Sequence, residues 1–202
     1  MYPSEYPINT LGEWISKKGL KQFRVAETEK YAHITYFFNG GREEVFEGEE
    51  RLVVPSLGLT NYATNPEMSL PEVTKLLVRA LESEQFDLIV CNIANGDMVG
   101  HSGDLNAGIR AVLSVDEALK QIVPTAQACG FTALITADHG NIEHMWENGE
   151  PHTAHTFNEV PLVVTDKNIV LESSGHLYQI APTILKIMGL DKPKEMTGEA
   201  MF

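Results

Sequence analysis

Cysteine is scarce in this 202-residue chain, which holds two, Cys91 and Cys129. Both lie in apolar stretches without the spacing of a metal clip. They read as reduced thiols packed in a core, which excludes a disulfide framework and a cysteine-ligated zinc site. Cations are also short, with 15 Lys and Arg against 28 Asp and Glu and a formal net charge of −13. Such a balance argues against nucleic acid or an anionic membrane as partner. An anionic ligand would have to be met by bound metal and local cations, and metal-ligating carboxylates would account for part of the acidic excess. Long apolar runs are missing too, since none approaches the ~20 residues that span a bilayer. The opening Met1-Tyr2-Pro3-Ser4-Glu5 has neither the basic start nor the apolar stretch of a signal peptide, so a cytoplasmic location is expected. Neither an internal repeat nor a low-complexity tract occurs.

The 43% apolar and 21% charged residues are ordinary for a soluble globular protein long enough to bury a core. Helix and strand signals alternate along the chain. Thr10, with Glu13 three residues on, predicts a helix from Leu11 to Lys18, stopped at Gly19. Gln22 to Val25 reads as a strand. Glu29 to Phe38 alternates like a strand at Ile34, Tyr36 and Phe38, but Gly40-Gly41 suits a helix end, and helix is the preferred reading. Arg51 to Val54 is a strand ended by Pro55. Ser69, Pro71 and Glu72 open a helix to about Ser83. Asp87 to Ile93 is a continuous apolar strand of the kind buried in a parallel sheet.

Asp104 starts the longest helix, whose apolar positions Ile109, Val112, Leu113, Val115, Leu119 and Ile122 predict its buried face. Thr132 to Thr136 and Pro161 to Thr165 are further strands, and His176 to Met188 a last helix. Ser56 to Pro66 is a polar connection punctuated by Pro and Gly. The alternation points to an α/β fold with a mixed, mostly parallel sheet flanked by helices.

Chemistry concentrates in three clusters. Five of the seven histidines fall between positions 101 and 155. Thr136-Ala137-Asp138-His139-Gly140-Asn141 ends an apolar strand on a carboxylate, an imidazole and a glycine, at the sheet edge where open α/β folds keep their sites. Consecutive residues on a strand face opposite ways, so Asp138 and His139 need a turn at Gly140 to address one ion. Asp97 and His101, four apart, would share a helix face. A loop turning into a helix is preferred there, because Asn95-Gly96 signals a turn. Of His152 and His155, the latter stands nearer the strand Pro161–Thr165 and is the preferred ligand. Two aspartates with several histidines suit Mn²⁺ or Zn²⁺ better than Mg²⁺. His144 and His176 carry no assigned duty, and Met145-Trp146 is expected to pack under the site loop.

The stretches Ala26–His33, Phe37–Glu44, Asp97–His101, Thr136–Asn141, His152–Thr156 and Glu195–Gly198 resemble the 2,3-bisphosphoglycerate-independent phosphoglycerate mutases of the alkaline phosphatase superfamily. The resemblance runs from Pro7 to Phe202. It implies an alkaline-phosphatase-like fold, and a first manganese held by Asp97, His101 and His155. A second manganese would be held by Asp138 and His139, with Zn²⁺ or Co²⁺ as possible substitutes. It further implies that Lys30 contacts the phosphoryl group of a phosphoglycerate. Members interconvert 3- and 2-phosphoglycerate through a phosphoserine and need no 2,3-bisphosphoglycerate.

Family members are much longer, and the match implies a chain lacking the N-terminal segment and the inserted substrate domain. Residues 1–202 would then be the C-terminal segment of the phosphatase-like domain, with residues 1–6 the tail of a linker. The nucleophilic serine and a further metal-ligating aspartate would come from that missing N-terminal portion, and most substrate-gripping arginines from the insert. A weak second metal site, no turnover by the chain alone, and exposed sheet edges prone to association are expected. Gly96 stands where proline is usual, and Leu57 to Thr64 departs from the family pattern. Other readings are a phosphomutase or phosphatase relative of the same superfamily, or a non-catalytic metal-binding module.

Overall fold

The computed structural model describes residues 6–202, so the expected linker tail lies outside the described residues up to position 5. Three parallel strands form its centre: β1 (Gln22–Glu27) lies between β2 (Glu49–Val54) and β3 (Leu88–Cys91). β1 is buried along its whole length, and its period-2 alternation divides two chemistries between the faces. Phe23 and Val25 join a core with α3 (Leu70–Glu82) and the 24-residue α5 (Leu105–Ala128). The opposite side of the sheet is covered by α1 (Leu11–Lys17) and α6 (Ile180–Ile187), with Ile15 and Leu185 fully buried. A second, antiparallel pair joins β4 (Leu134–Thr136) to β7 (Leu162–Val164). A short hairpin, β5 (Trp146–Glu147) with β6 (Glu150–Pro151), lies between them in sequence. Helix layers on both faces of a predominantly parallel sheet bear out the α/β reading.

The helical reading of Glu29 to Phe38 is met by α2 (Thr28–Ala32), continued by a π-helical turn over His33–Phe37. Arg24 explains why this segment leaves the sheet pattern. Its buried guanidinium donates to the Ile34 carbonyl at 3.0 Å, Asn39 Oδ1 at 2.7 Å and Gln22 Oε1 at 2.7 Å. Together with Glu49 and Arg51 this pins the turn over β1. Asp104 caps α5 as expected, accepting the Ala107 N–H at 3.0 Å. Ser69 precedes α3 but does not cap it with its side chain; its hydroxyl donates to the Pro55 carbonyl at 2.8 Å.

Two packing expectations are corrected. Ile122 is buried, but Ile109, Val112 and Leu113 are 51–58% exposed, and the first half of α5 packs through Ala107, Gly108 and Ala111 instead. Met145 is buried against Gly108, whereas its neighbour Trp146 points outward.

Candidate metal centre

The segments carrying the candidate ligands are connections that follow strands, two leaving the parallel sheet and one leaving the antiparallel β4–β7 pair. Lys30 follows β1, Asp97 follows β3, and Asp138 follows β4. His155 precedes β7, which runs antiparallel to β4 and so begins where β4 ends.

Asp97 sits in the first turn of α4 (Asn95–Gly100), with His101 as its C-cap. The helical alternative therefore holds, and the turn expected at Asn95-Gly96 does not form. Asn95 is fully buried, and its amide donates to the Pro66 and Glu67 carbonyls at 2.7 and 3.0 Å, anchoring the helix start. His101 consequently lies one turn above Asp97, 3.0 Å from Oδ1. His155 Nε2 is also 3.0 Å from that oxygen and 3.1 Å from His101 Nε2. His139 stacks on His155 with ring centroids 3.7 Å apart. The ligand atoms of Asp97, His139 and His155 lie within 4.8 Å of one another. Asp138 is the most exposed of the set, 3.7 Å from His139 Nε2.

The donor chemistry fits a cation. His101 Nδ1 is 2.6 Å from the Thr153 carbonyl and His139 Nδ1 3.3 Å from the Gly140 carbonyl. Carbonyls only accept, so both protons are assigned to Nδ1, leaving Nε2 as a lone pair. A lone pair on His101 Nε2 thus faces carboxylate Oδ1 at hydrogen-bond distance, an arrangement satisfied by a shared proton or a metal ion. Imidazoles anchored by a backbone carbonyl at the far nitrogen are the usual form of metal-ligating histidine.

Lys30, almost completely buried, donates to Asp97 Oδ2. Burial alone would push the Asp97 carboxyl up. Hydrogen bonds from Lys30 and Asn141, with the charges of Lys30 and His101, outweigh it and bring the group down to about 2. His33 in the π-helical turn is pushed below its ordinary value by burial and by the Lys30 charge, against the pull of Asp138 and Asp97.

Comparison with known proteins decides the family. The model of the metalloenzyme superfamily matches residues 2–192. The chain belongs to the metalloenzyme superfamily. It is 52% identical over 203 residues to the 2,3-bisphosphoglycerate-independent phosphoglycerate mutase of Hahella chejuensis, covering all of this chain and 40% of that protein. The enzyme of the same description from Pseudomonas putida is 52% identical over 197 residues, covering 96% of this chain and 39% of that one. A phosphoglycerate mutase of Leishmania mexicana, crystallised at low cobalt concentration, superposes with a TM-score of 0.87 at 29% identity. That match covers 95% of this chain and 39% of the other. The chain thus spans about 40% of the length of the curated relatives it matches.

Within this superfamily member, Asp97, His101, His139 and His155 come together, with Lys30 against Asp97 and Asp138 beside His139. His152 turns away, its Nδ1 donating to the His144 carbonyl at 3.0 Å. Sequence reasoning missed the residues that hold these side chains in place. Asn141 donates to Asp97 Oδ1 at 2.7 Å and Glu143 binds the Asn141 N–H at 2.6 Å. Asn141 and Thr156 lay inside the quoted motifs but had no separable signal. Glu143, in a polar run, resembled any surface carboxylate.

Proposed function

We propose that this chain carries the metal-holding part of a 2,3-bisphosphoglycerate-independent phosphoglycerate mutase, an intramolecular phosphotransferase of glycolysis acting in the cytoplasm. The observation that carries the reading is the meeting of Asp97, His101 and His155 at 3.0–3.1 Å beside a buried lysine. Asp97, His101 and His155 would hold one divalent ion, and Asp138 with His139 part of a second. Mn²⁺ is the preferred metal, with Co²⁺ or Zn²⁺ as substitutes. When bound, such ions supply charge that lowers a serine hydroxyl's pKa and neutralises phosphoryl oxygens during in-line displacement.

The chain's own residues do the rest of the local work. Lys30 presents a point positive charge to a phosphoryl oxygen, and Asp97 keeps that ammonium oriented. Asn141 keeps the Asp97 carboxylate turned toward the two imidazoles. Ser102, next to a ligand, donates to the Val99 carbonyl at 2.6 Å, which supports a nucleophile supplied from elsewhere. We assign residues 1–202 to the C-terminal segment of the phosphatase-like domain. The remaining length of the relatives would contribute the serine, a further ligand to the second ion, and the arginines for the glycerate carboxylate. Identity of about half along the whole chain supports a mutase over a phosphatase relative.

The test is conversion of 3-phosphoglycerate to 2-phosphoglycerate with saturating Mn²⁺ and no 2,3-bisphosphoglycerate. The chain alone should give no turnover, and adding a polypeptide covering the remaining length of a relative should restore it. Turnover by the chain alone would contradict the division of labour proposed here.

A further inference from the structure

Glu143 belongs to none of the ligand sets above, yet its carboxylate touches both ligand-bearing loops. Oε2 accepts the Asn141 N–H at 2.6 Å; Oε1 accepts the Thr156 hydroxyl, and the Asn158 side-chain amide at 2.9 Å. The Thr156 N–H meanwhile donates to the Gly140 carbonyl at 2.8 Å, closing an isolated antiparallel bridge. Gly140 makes the approach possible. A Cβ there would fall 2.2 Å from Thr156 Oγ1 and 2.4 Å from Glu143 Oε1.

The network reaches the third ligand segment through Asn141. Its Nδ2 donates to Asp97 Oδ1 at 2.7 Å and to the Asp97 carbonyl at 3.2 Å. One carboxylate therefore connects the strand-end turn carrying Asp138 and His139, the loop carrying His155, and the helix carrying Asp97 and His101. His139 lies two residues before Asn141, and His155 one before Thr156, so little slack separates Glu143 from the ligands.

We propose that Glu143 is a positioning residue of the metal centre, a strut that sets the His155 loop against the Asp138–His139 turn at ion-binding spacing. The inference rests on the metal reading above. Both of its oxygens are engaged by the loops, three hydrogen bonds in all, which marks the carboxylate as a tie between them. Glu143 is itself exposed, so its hydrogen bonds contribute little to global stability. Its effect belongs in metal affinity, where partners behind the ligands are typically worth about 10–100-fold.

The test follows Mn²⁺ binding to the full chain by the electron paramagnetic resonance signal of free Mn²⁺. Wild type is compared with E143A, E143Q, T156V and E143A/T156V, alongside thermal unfolding of each metal-free protein. E143A should bind about 10–100-fold more weakly with little change in the metal-free Tm. E143Q, which keeps one acceptor oxygen, should fall between. T156V should weaken binding, and the double variant should be no weaker than E143A alone, because both changes break one link. Wild-type affinity in E143A overturns the proposal. So does a loss of Tm with unchanged affinity in folded E143Q and T156V. A wild-type chain that binds no Mn²⁺ defeats the metal reading itself, and the strut with it.

Discussion

Asp97 gathers four side chains: Lys30 on one oxygen, and Asn141, His101 and His155 on the other. Its carboxyl, down at about 2 against an ordinary 3.8, and that of Glu143, down at about 2 against 4.5, give the metal-free protein an acid-side signature. In both, burial works upward and is outweighed, by Lys30 and Asn141 for Asp97 and by Thr156, Asn158 and the backbone for Glu143. A depressed carboxylate contributes stability above its unfolded pKa and loses it as pH falls toward the folded value. Urea midpoints of the metal-free chain should therefore fall between pH 5 and pH 2, and more gently in the D97N/E143Q variant; Glu143, being exposed, adds the smaller share. Parallel pH profiles for the two proteins would contradict this. Gly140→Ala makes a second residue-scale prediction. With no room for a Cβ between Thr156 and Glu143, Mn²⁺ affinity should drop at least tenfold, as for loss of a ligand's supporting shell. That these Asp and His residues gather at one place was legible in the sequence, because three such clusters recur at successive segment ends. The partners behind them were not, since Asn, Thr and Glu in loops serve many ends.

At the scale of elements, the alternation of apolar strands and periodic helices placed nearly every segment. What it missed was set by single buried polar side chains. Asn95 made a helix start of an expected turn by binding two carbonyls. Arg24 held a π-helical turn that no periodicity predicts. That turn follows directly on the helix presenting Lys30. Arg24→Leu would strand the Ile34 carbonyl, Asn39 and Gln22 in the interior and leave Glu49 with Arg51 alone. Urea denaturation should register a loss of about 3–5 kcal/mol, as for breaking a buried ionic network from one side. A loss under 1 kcal/mol would mean the turn holds without it. The buried face of the first half of α5 was misread because apolar residues were assumed to face inward, whereas Ala107, Gly108 and Ala111 take that place for close packing.

For the whole molecule, the exposed Leu105, Ile109, Val112 and Leu113 form a continuous apolar stripe along α5. Among the described residues, β3 pairs only with β1 and β4 only with β7. Apolar surface and open strand edges together favour association. Sedimentation velocity should find concentration-dependent oligomers, shifted toward monomer in I109E/L113E; a strictly monomeric wild type would contradict this. Among the described residues, no helix is long and apolar enough to cross a membrane. Metal should act on the molecule as a whole, since an ion held by three separate segments binds only the folded state. At about 100 times its Kd, Mn²⁺ adds about 2.7 kcal/mol of stability, removable by chelator.

The central claim is that these segments fold into a metal centre, and calorimetric titration of the chain with Mn²⁺ tests it most directly. The account predicts one tight equivalent, abolished by D97A, and a second that is much weaker because Asp138 and His139 stand alone. Two tight equivalents, or binding that survives D97A, would contradict it.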